Sequence, residues 1–339
     1  MLQTLKVGVI GVGYLGAFHA RKYADMDGVE LVGVSDKNID RARVVAEECS
    51  TRAFSEYREL LKQVDAVSIV VSTSSHHEVG LACIEHGVHM LVEKPMTVTL
   101  DEADDLIQGA AAKNLTLQVG LIERYNPAVL AVRRYLTEPL FIESHRIGPF
   151  KGRGTDVDVV LDLMIHDIDI VFSIVSSPLT TIHAVGVPVA TTSTDIANTR
   201  LIFENGCTAN VTVSRISMDT MRRMRIFQPF SYVSLDFAKK EFMVIRPRLI
   251  KDGFMPRVAM DADGIPEQDV IKESFQEKDQ LHDELFDFVT CVRMKRKPAV
   301  SGEDGRRALA VALEIIEQTR HNREACRGVI QKALLQMAF

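Results

Sequence analysis

Cysteine is sparse in this chain and follows no local pattern. The five residues (Cys49, Cys83, Cys207, Cys291 and Cys326) lie far apart, and no C-x-x-C occurs. That excludes a disulfide scaffold and a thiolate zinc site, and it fits a reducing compartment. Long apolar runs are missing as well. A membrane span needs about 18 consecutive apolar residues. The longest candidates here, such as 66–71, have the length of buried strands. The first residues run directly into a strand pattern at 5–10, so no secretory leader is expected and the cytoplasm is the expected location. Excess charge of one sign is also absent, with 40 Lys+Arg against 46 Asp+Glu and a net charge of -6. A mildly acidic chain is a poor generic binder of nucleic acid or anionic membrane. The clusters Arg222/Arg223/Arg225 and 293–297 therefore read as solvated faces, and no nucleic-acid or membrane partner is expected. Repeats and low-complexity segments do not occur.

What remains is an ordinary globular composition. The chain has 339 residues, 46% hydrophobic and 25% charged, which at about 150 residues per domain suggests two domains. Strand patterns at 6–10, 29–34, 66–71, 88–92 and 115–119 alternate with helical stretches such as 40–49 and 55–62. This alternation predicts an α/β unit with a parallel sheet and helices on both faces.

The first strand ends in Gly11-Val12-Gly13-Tyr14-Leu15-Gly16, and a helical stretch follows. G-x-G-x-x-G is informative in this strand-to-helix context. Gly11 allows a tight turn, Gly13 lets a pyrophosphate approach the backbone, and Gly16 lets helix and strand pack closely. The helix N-terminus then faces the phosphates. Asp36 ends the second strand, where a carboxylate accepts ribose hydroxyls and repels a 2′-phosphate. NAD is therefore expected over NADP, although Lys37 and Arg41 lie close enough in sequence to meet a phosphate.

Two further constellations carry chemistry. Glu93-Lys94-Pro95 follows the apolar stretch 90–92, so Lys94 emerges at the carboxyl end of a strand, where ligands of doubly wound sheets bind. Pro95 restricts the residue before it and permits a cis bond. The second is a mostly apolar helical stretch, 161–175, in which Asp162, His166, Asp169 and Ser173 fall on one stripe at helical spacing, with Asp167 outside it. A buried polar stripe must be hydrogen-bonded or face a wet cavity. From the residues alone three readings stay open: a structural Asp–His pair, a metal site, and a substrate pocket.

With these motifs in hand, the chain resembles the Gfo/Idh/MocA family of nicotinamide oxidoreductases. That family has a T-P-x-x-x-H segment between the glycine fingerprint and an E-K-P motif. His76 falls at the family histidine, and Val71-Ser72 stand where Thr-Pro is usual. Glu123-Arg124-Tyr125-Asn126-Pro127 is similar to the family's junction between domains, and Asp162 with His166 matches its D-x-x-x-H motif. A glycine-rich run common before that motif is replaced here by 155–160.

The resemblance implies an N-terminal Rossmann NAD(P)-binding domain at 1–123. It also implies a C-terminal α+β domain at 124–339 with a large, mostly antiparallel open sheet. Alternation at 207–214 and the Asn205-Gly206 turn agree with such a sheet. Thr208, Asn210, Thr212 and Ser214 are expected on its polar face, and late helices at 279–294 and 303–322.

The same resemblance implies roles. Lys94, Asp162 and His166 form the expected catalytic set: His166 as base, Lys94 stabilising an alkoxide, and Asp162 orienting. Cofactor contacts are expected from Gly11, Gly13, Tyr14, Leu15, Gly16, Asp36, Ser72, His76, Glu93 and Lys94. Glu93 and His89 also read as structural. Substrate contacts are expected from Lys94, Arg124, Asp162 and His166, with Arg146 and Arg153 as further candidates for a diphosphate. No metal is expected. Stretches 122–127, 142–146 and 157–171 are similar to a subgroup that oxidises the 3-position of UDP-N-acetylglucosamine. The implied partners are a sugar or UDP-sugar and further copies of the chain, as a homodimer or homotetramer formed through the second sheet. A free-sugar or inositol dehydrogenase, another reductase of the family and a non-catalytic NAD(P)-binding regulator stand as alternatives.

Overall fold

A computed structural model of the chain describes residues 4–150, 157–191, 193–250 and 257–325, with 328, 329, 332 and 336. Two compact units make up the chain: Met1–Tyr125 with Asp279–Ala310, and Asn126–Lys278 with Val311–Phe339. The expected single cut after residue 123 is corrected accordingly, because the chain leaves the first unit once and returns to it.

The first unit holds β1 (Leu5–Ile10), β2 (Val29–Ser35), β3 (Arg52–Phe54), β4 (Ala66–Ile69), β5 (His89–Glu93) and β6 (Leu117–Gly120), all parallel, in the order β3-β2-β1-β4-β5-β6. This is the strand order of a dinucleotide-binding sheet, and its direction reverses between β1 and β4. The helices are α1 (Tyr14–Ala24), α2 (Ile39–Glu48), α3 (Tyr57–Leu61), α4 (His76–His86) and α5 (Leu100–Ala112). Their ends follow local chemistry. Asn38 caps α2 by accepting the Asp40 and Arg41 N–H groups. Thr99 and Glu102 form a capping box on α5. Gly87, at φ 72°, terminates α4. Strand β3 was not foreseen, since three residues at a sheet edge are too few to show a period.

In the second unit, Asn126 caps α6 (Pro127–Val132), and α7 (Ile165–Ile174) follows a π-helical turn at Val160–Met164. Eight strands form its main sheet: β7 (Phe141–Ile147), β8 (Leu179–Val187), β9 (Ile196–Phe203), β10 (Thr208–Ser214), β11 (Met221–Gln228), β12 (Ser231–Asp236), β13 (Glu241–Pro247) and β16 (Gln268–Ser274). Strands β14 (Leu249–Ile250) and β15 (Arg257–Val258) make a small separate ribbon. The order is β16-β13-β12-β11-β7-β10-β9-β8, and among the described pairs β7–β10 is parallel while the rest are antiparallel. The mostly antiparallel expectation is met.

The period of two is visible in β10, where Ala209, Val211 and Val213 are buried and Thr208, Asn210 and Thr212 are half-buried. Ser214, the last residue on that face, is buried, and its hydroxyl accepts the Ile216 N–H at 3.2 Å. Gly206, at φ 85°, makes the β9–β10 turn as expected.

The chain then forms α8 (Gln280–Met294) and α9 (Gly302–Ala325), and α9 runs from the first unit into the second. On α8, Leu281, Leu285, Phe288, Val289 and Val292 lie on one face. They share a core with Val7 and Val9 of β1 and with Ala20 and Tyr23 of α1. Burying a side chain of this size stabilises by about 1.5–3 kcal/mol, which is why Asp279–Ala310 belongs to the first unit. Cys49, Cys83, Cys207 and Cys291 are free thiols, and Cys326 lies outside the described residues.

Candidate active site

The glycine loop bridges β1 and α1 at the point where the sheet order reverses. Gly11 adopts φ 87°, and a Cβ there would lie 2.5 Å from the Val70 carbonyl oxygen. A Cβ at Gly16 would lie 1.9 Å from the Gly11 oxygen, so α1 packs on the loop itself. Gly13 is different: a Cβ there meets nothing within 4 Å among the described residues, and the backbone is open to a ligand. Gly13 also caps α1 with no side-chain bond, which leaves a helix N-terminus suited to phosphate. Tyr14 and Leu15, in the first turn, are exposed.

Asp36 has two tasks. Its Oδ2 accepts the Val12 N–H at 2.9 Å, and its Oδ1 accepts the Asn38 N–H at 2.8 Å, so it ties the glycine loop to the end of β2. A carboxylate oxygen has two lone pairs, and each keeps capacity for a ribose hydroxyl. Arg41 lies 3.6 Å from Oδ2. Asp36 borders a groove of about 400 Å³ with Gly11, Gly13, Tyr57, Ser72 and Ser75. These features fit NAD: an open glycine backbone, an uncapped helix end and a carboxylate, all on one groove.

Lys94 emerges half-buried from β5, and the Lys94–Pro95 bond is cis. Its two motif partners, Glu93 and His76, are buried and hydrogen-bonded within the protein. Glu93 is buried: its Oε2 accepts the Lys94 N–H at 3.1 Å and its Oε1 lies 3.4 Å from His19 Nε2. His76 is buried with Nδ1 3.0 Å from the Pro95 carbonyl and Nε2 3.1 Å from the Val71 carbonyl. Burial pushes its pKa down. It thus ties the segment after β4 to the Lys94–Pro95 turn, and its neighbour Ser75 lines the groove instead.

In the second unit the polar stripe is less regular than expected. The π-helical turn at Val160–Met164 uses wider bonding than an α-helix, so the angular spacing from Asp162 to His166 departs from the α-helical one. Asp162 and His166 are half-buried, whereas Asp169 is buried. Ser173 donates to the Ile170 carbonyl at 2.8 Å, a local bond within its own helix. Among the described residues, no group of three or more His, Cys, Asp or Glu comes close enough to hold a metal.

The arginines sort differently from expectation. Arg146 is buried and forms an ion pair with Asp167, Nε to Oδ2 at 2.6 Å, while the Ser144 hydroxyl donates to Oδ1 at 2.8 Å. It is a structural cation, not a diphosphate ligand. Arg124 is buried within the first unit, 3.6 Å from Asp304 and hydrogen-bonded to the Ala299 carbonyl. Arg153 lies outside the described residues. The roles of Asp167 and His19 were missed, because each depends on a partner distant in sequence.

Residues 5–121 match the family profile described as Gfo/Idh/MocA, oxidoreductase family, NAD-binding Rossmann fold. The chain is 39% identical over 312 residues to UDP-N-acetylglucosamine 3-dehydrogenase of Acidithiobacillus ferrooxidans, covering 92% of this chain and 96% of that enzyme. A solved structure of that dehydrogenase aligns with TM-score 0.85 at 36% identity, over 95% of this chain and 99% of the other. Myo-inositol 2-dehydrogenase of Thermotoga maritima is 25% identical over 336 residues, covering 90% of this chain and 93% of that enzyme.

Proposed function

The chain belongs to the Gfo/Idh/MocA family of NAD-binding oxidoreductases, and on that premise we propose that it oxidises the 3-hydroxyl of UDP-N-acetylglucosamine. The observation that carries this reading is the 39% identity, across nearly the whole of both chains, to an enzyme of that name. The inositol enzyme matches over a similar length but at 25%.

The residues suit the chemistry in these roles. The Gly11–Gly16 loop and the N-terminus of α1 hold the pyrophosphate, and Asp36 takes the ribose hydroxyls. When bound, NAD supplies the hydride acceptor. The C3–H and O–H bonds of the sugar break, C3 becomes a carbonyl carbon, and the hydroxyl proton passes to the His166 imidazole. Lys94 offsets the negative charge that grows on the oxygen, and Asp162 orients the reacting hydroxyl or imidazole.

The test is NAD reduction with UDP-N-acetylglucosamine, free sugars and inositols in parallel, with an aminotransferase draining the keto sugar. UDP-N-acetylglucosamine should support turnover. Lys94→Ala should lower kcat by about 10²–10³-fold, the scale for losing an oxyanion-stabilising group, with NAD binding retained in calorimetry. Turnover confined to inositols would overturn the substrate, and an active Lys94→Ala enzyme would overturn that residue's role.

We also infer a homodimer or homotetramer formed through the main sheet of the second unit. Phe141, Phe227 and Tyr232 form a ring cluster there, with centroids 5.8 and 5.2 Å apart and Phe227 exposed. Light scattering that gives a monomer mass would reject this. Among the described residues no helix is long and apolar enough to cross a membrane. We place the enzyme in the cytoplasm, and its recovery outside that compartment on cell fractionation would contradict the placement.

A further inference from the structure

Beneath the Lys94 turn, inside the first unit, lies a group of polar side chains that the reaction does not use. Glu284 of α8 is fully buried, and neither of its carboxyl oxygens has a hydrogen-bond partner among the described residues. Gln118 of β6 is also fully buried: its Nε2 donates to the Glu284 backbone carbonyl at 3.1 Å, while its Oε1 has no such partner. His19 of α1 is fully buried 3.4 Å from Glu93. Glu93 packs so tightly on Gly120 that a Cβ there would lie 2.8 Å from its carboxyl carbon.

The charged and titratable surroundings of Glu284 are unfavourable to an anion. Glu93 of β5 and Asp287 of α8 both act on it with negative charge. Tyr23 of α1 bonds to Ser68, and Tyr125 donates to Asp287 at 2.9 Å; burial pushes both phenols up, and for Tyr125 the charge of Asp287 adds to it. Arg296 is turned to Asp287, and His19 faces Glu93. An ionised carboxylate in such a place, without a donor, is strongly disfavoured.

We propose that Glu284 is kept as the undissociated acid and acts as a positioning residue for Lys94. Uncharged, it lets the Glu93 carboxylate stay on His19 and on the Lys94 backbone N–H. Once ionised, it would set two like charges against each other under the turn, displacing Glu93 and the lysine that follows it. The kinetic half of this proposal rests on the catalytic reading of Lys94. The protonation half does not.

The experiment compares wild type with Glu284→Gln, which keeps shape and removes the acid. Burial, Glu93 and Asp287 raise the native pKa of Glu284 well above 4.5. The unfolded chain therefore ionises first, and wild-type stability falls as pH rises above about 4.5, up to the native pKa. The expected result is a melting-temperature advantage of Glu284→Gln that grows as pH rises above about 5, by up to about tenfold in folding equilibrium per pH unit. The alkaline limb of kcat/KM should also move to higher pH in the variant. A pH-independent stability difference, or a variant that loses ground as pH rises, would overturn the proposal. Glu284→Met, uncharged and of similar length, repeats the comparison if the glutamine variant folds poorly. If no sugar is turned over, the melting comparison still decides the protonation state. An unmoved alkaline limb alongside the expected stability trend would reject the positioning role alone.

Discussion

Arg146 and Asp167 show how a single contact fixes the meaning of a residue. Both side chains are nearly excluded from solvent, at 4% and 1%. Removing one partner of such a pair leaves a buried charge and costs about 3–5 kcal/mol. Asp167→Ala should therefore lose stability on that scale in denaturant titration. A loss under about 1 kcal/mol would show that water or another group compensates Arg146. Nothing local in Ser144-His145-Arg146 distinguishes a buried guanidinium from a surface one, since its partner lies 21 positions away. Lys94, Asp162 and His166, the proposed catalytic set, stand out in the sequence because motif spacing marks them. Glu93 and His76 stand out as motif members, but their protein partners do not: spacing shows that a residue is placed, not which way its side chain turns.

At the scale of elements, the strongly periodic pieces were readable and the short or irregular ones were not. The glycine loop between β1 and α1 and the β9–β10 turn carry their own conformational demands. Strand β3 and the π-helical turn before α7 have no period of their own to detect. Two devices in the second unit depend on pairing across elements. Strand β8 is a sheet edge, and α9 covers part of it: Gln318 accepts the Ala184 N–H at 2.9 Å, and Asn322 donates to the Ala184 carbonyl at 2.9 Å.

The second device is the segment between β8 and β9. Burial pushes the Asp195 carboxyl up, but the N–H groups of Thr191, Val189 and Ala190 and the Thr191 hydroxyl outweigh it, and its pKa falls from 3.8 to about 2. A depressed carboxylate stabilises the fold above its unfolded pKa, and that stability is lost as pH falls. The difference is worth about 2 kcal/mol near neutral pH. The stability gap between wild type and Asp195→Asn should narrow by that amount from about pH 5 to about pH 2 in acid-denaturation curves. A gap that stays constant would show that the segment does not hold the charged form.

At the scale of the molecule, the two-domain organisation was legible, while the return of Asp279–Ala310 to the first unit was not. The apolar stripe of α8 is plain in sequence, but a stripe does not say which core receives it. That return brings Glu284 close to Glu93, beneath the turn that carries Lys94. The proposed activity rests on one transfer: hydride from C3 of the sugar of UDP-N-acetylglucosamine to NAD. The most direct measurement supplies that substrate with deuterium at the sugar C3 and weighs the reduced cofactor by mass spectrometry. One deuterium per NADH is the predicted result, with the signal lost in His166→Ala; NADH formed without deuterium would contradict it.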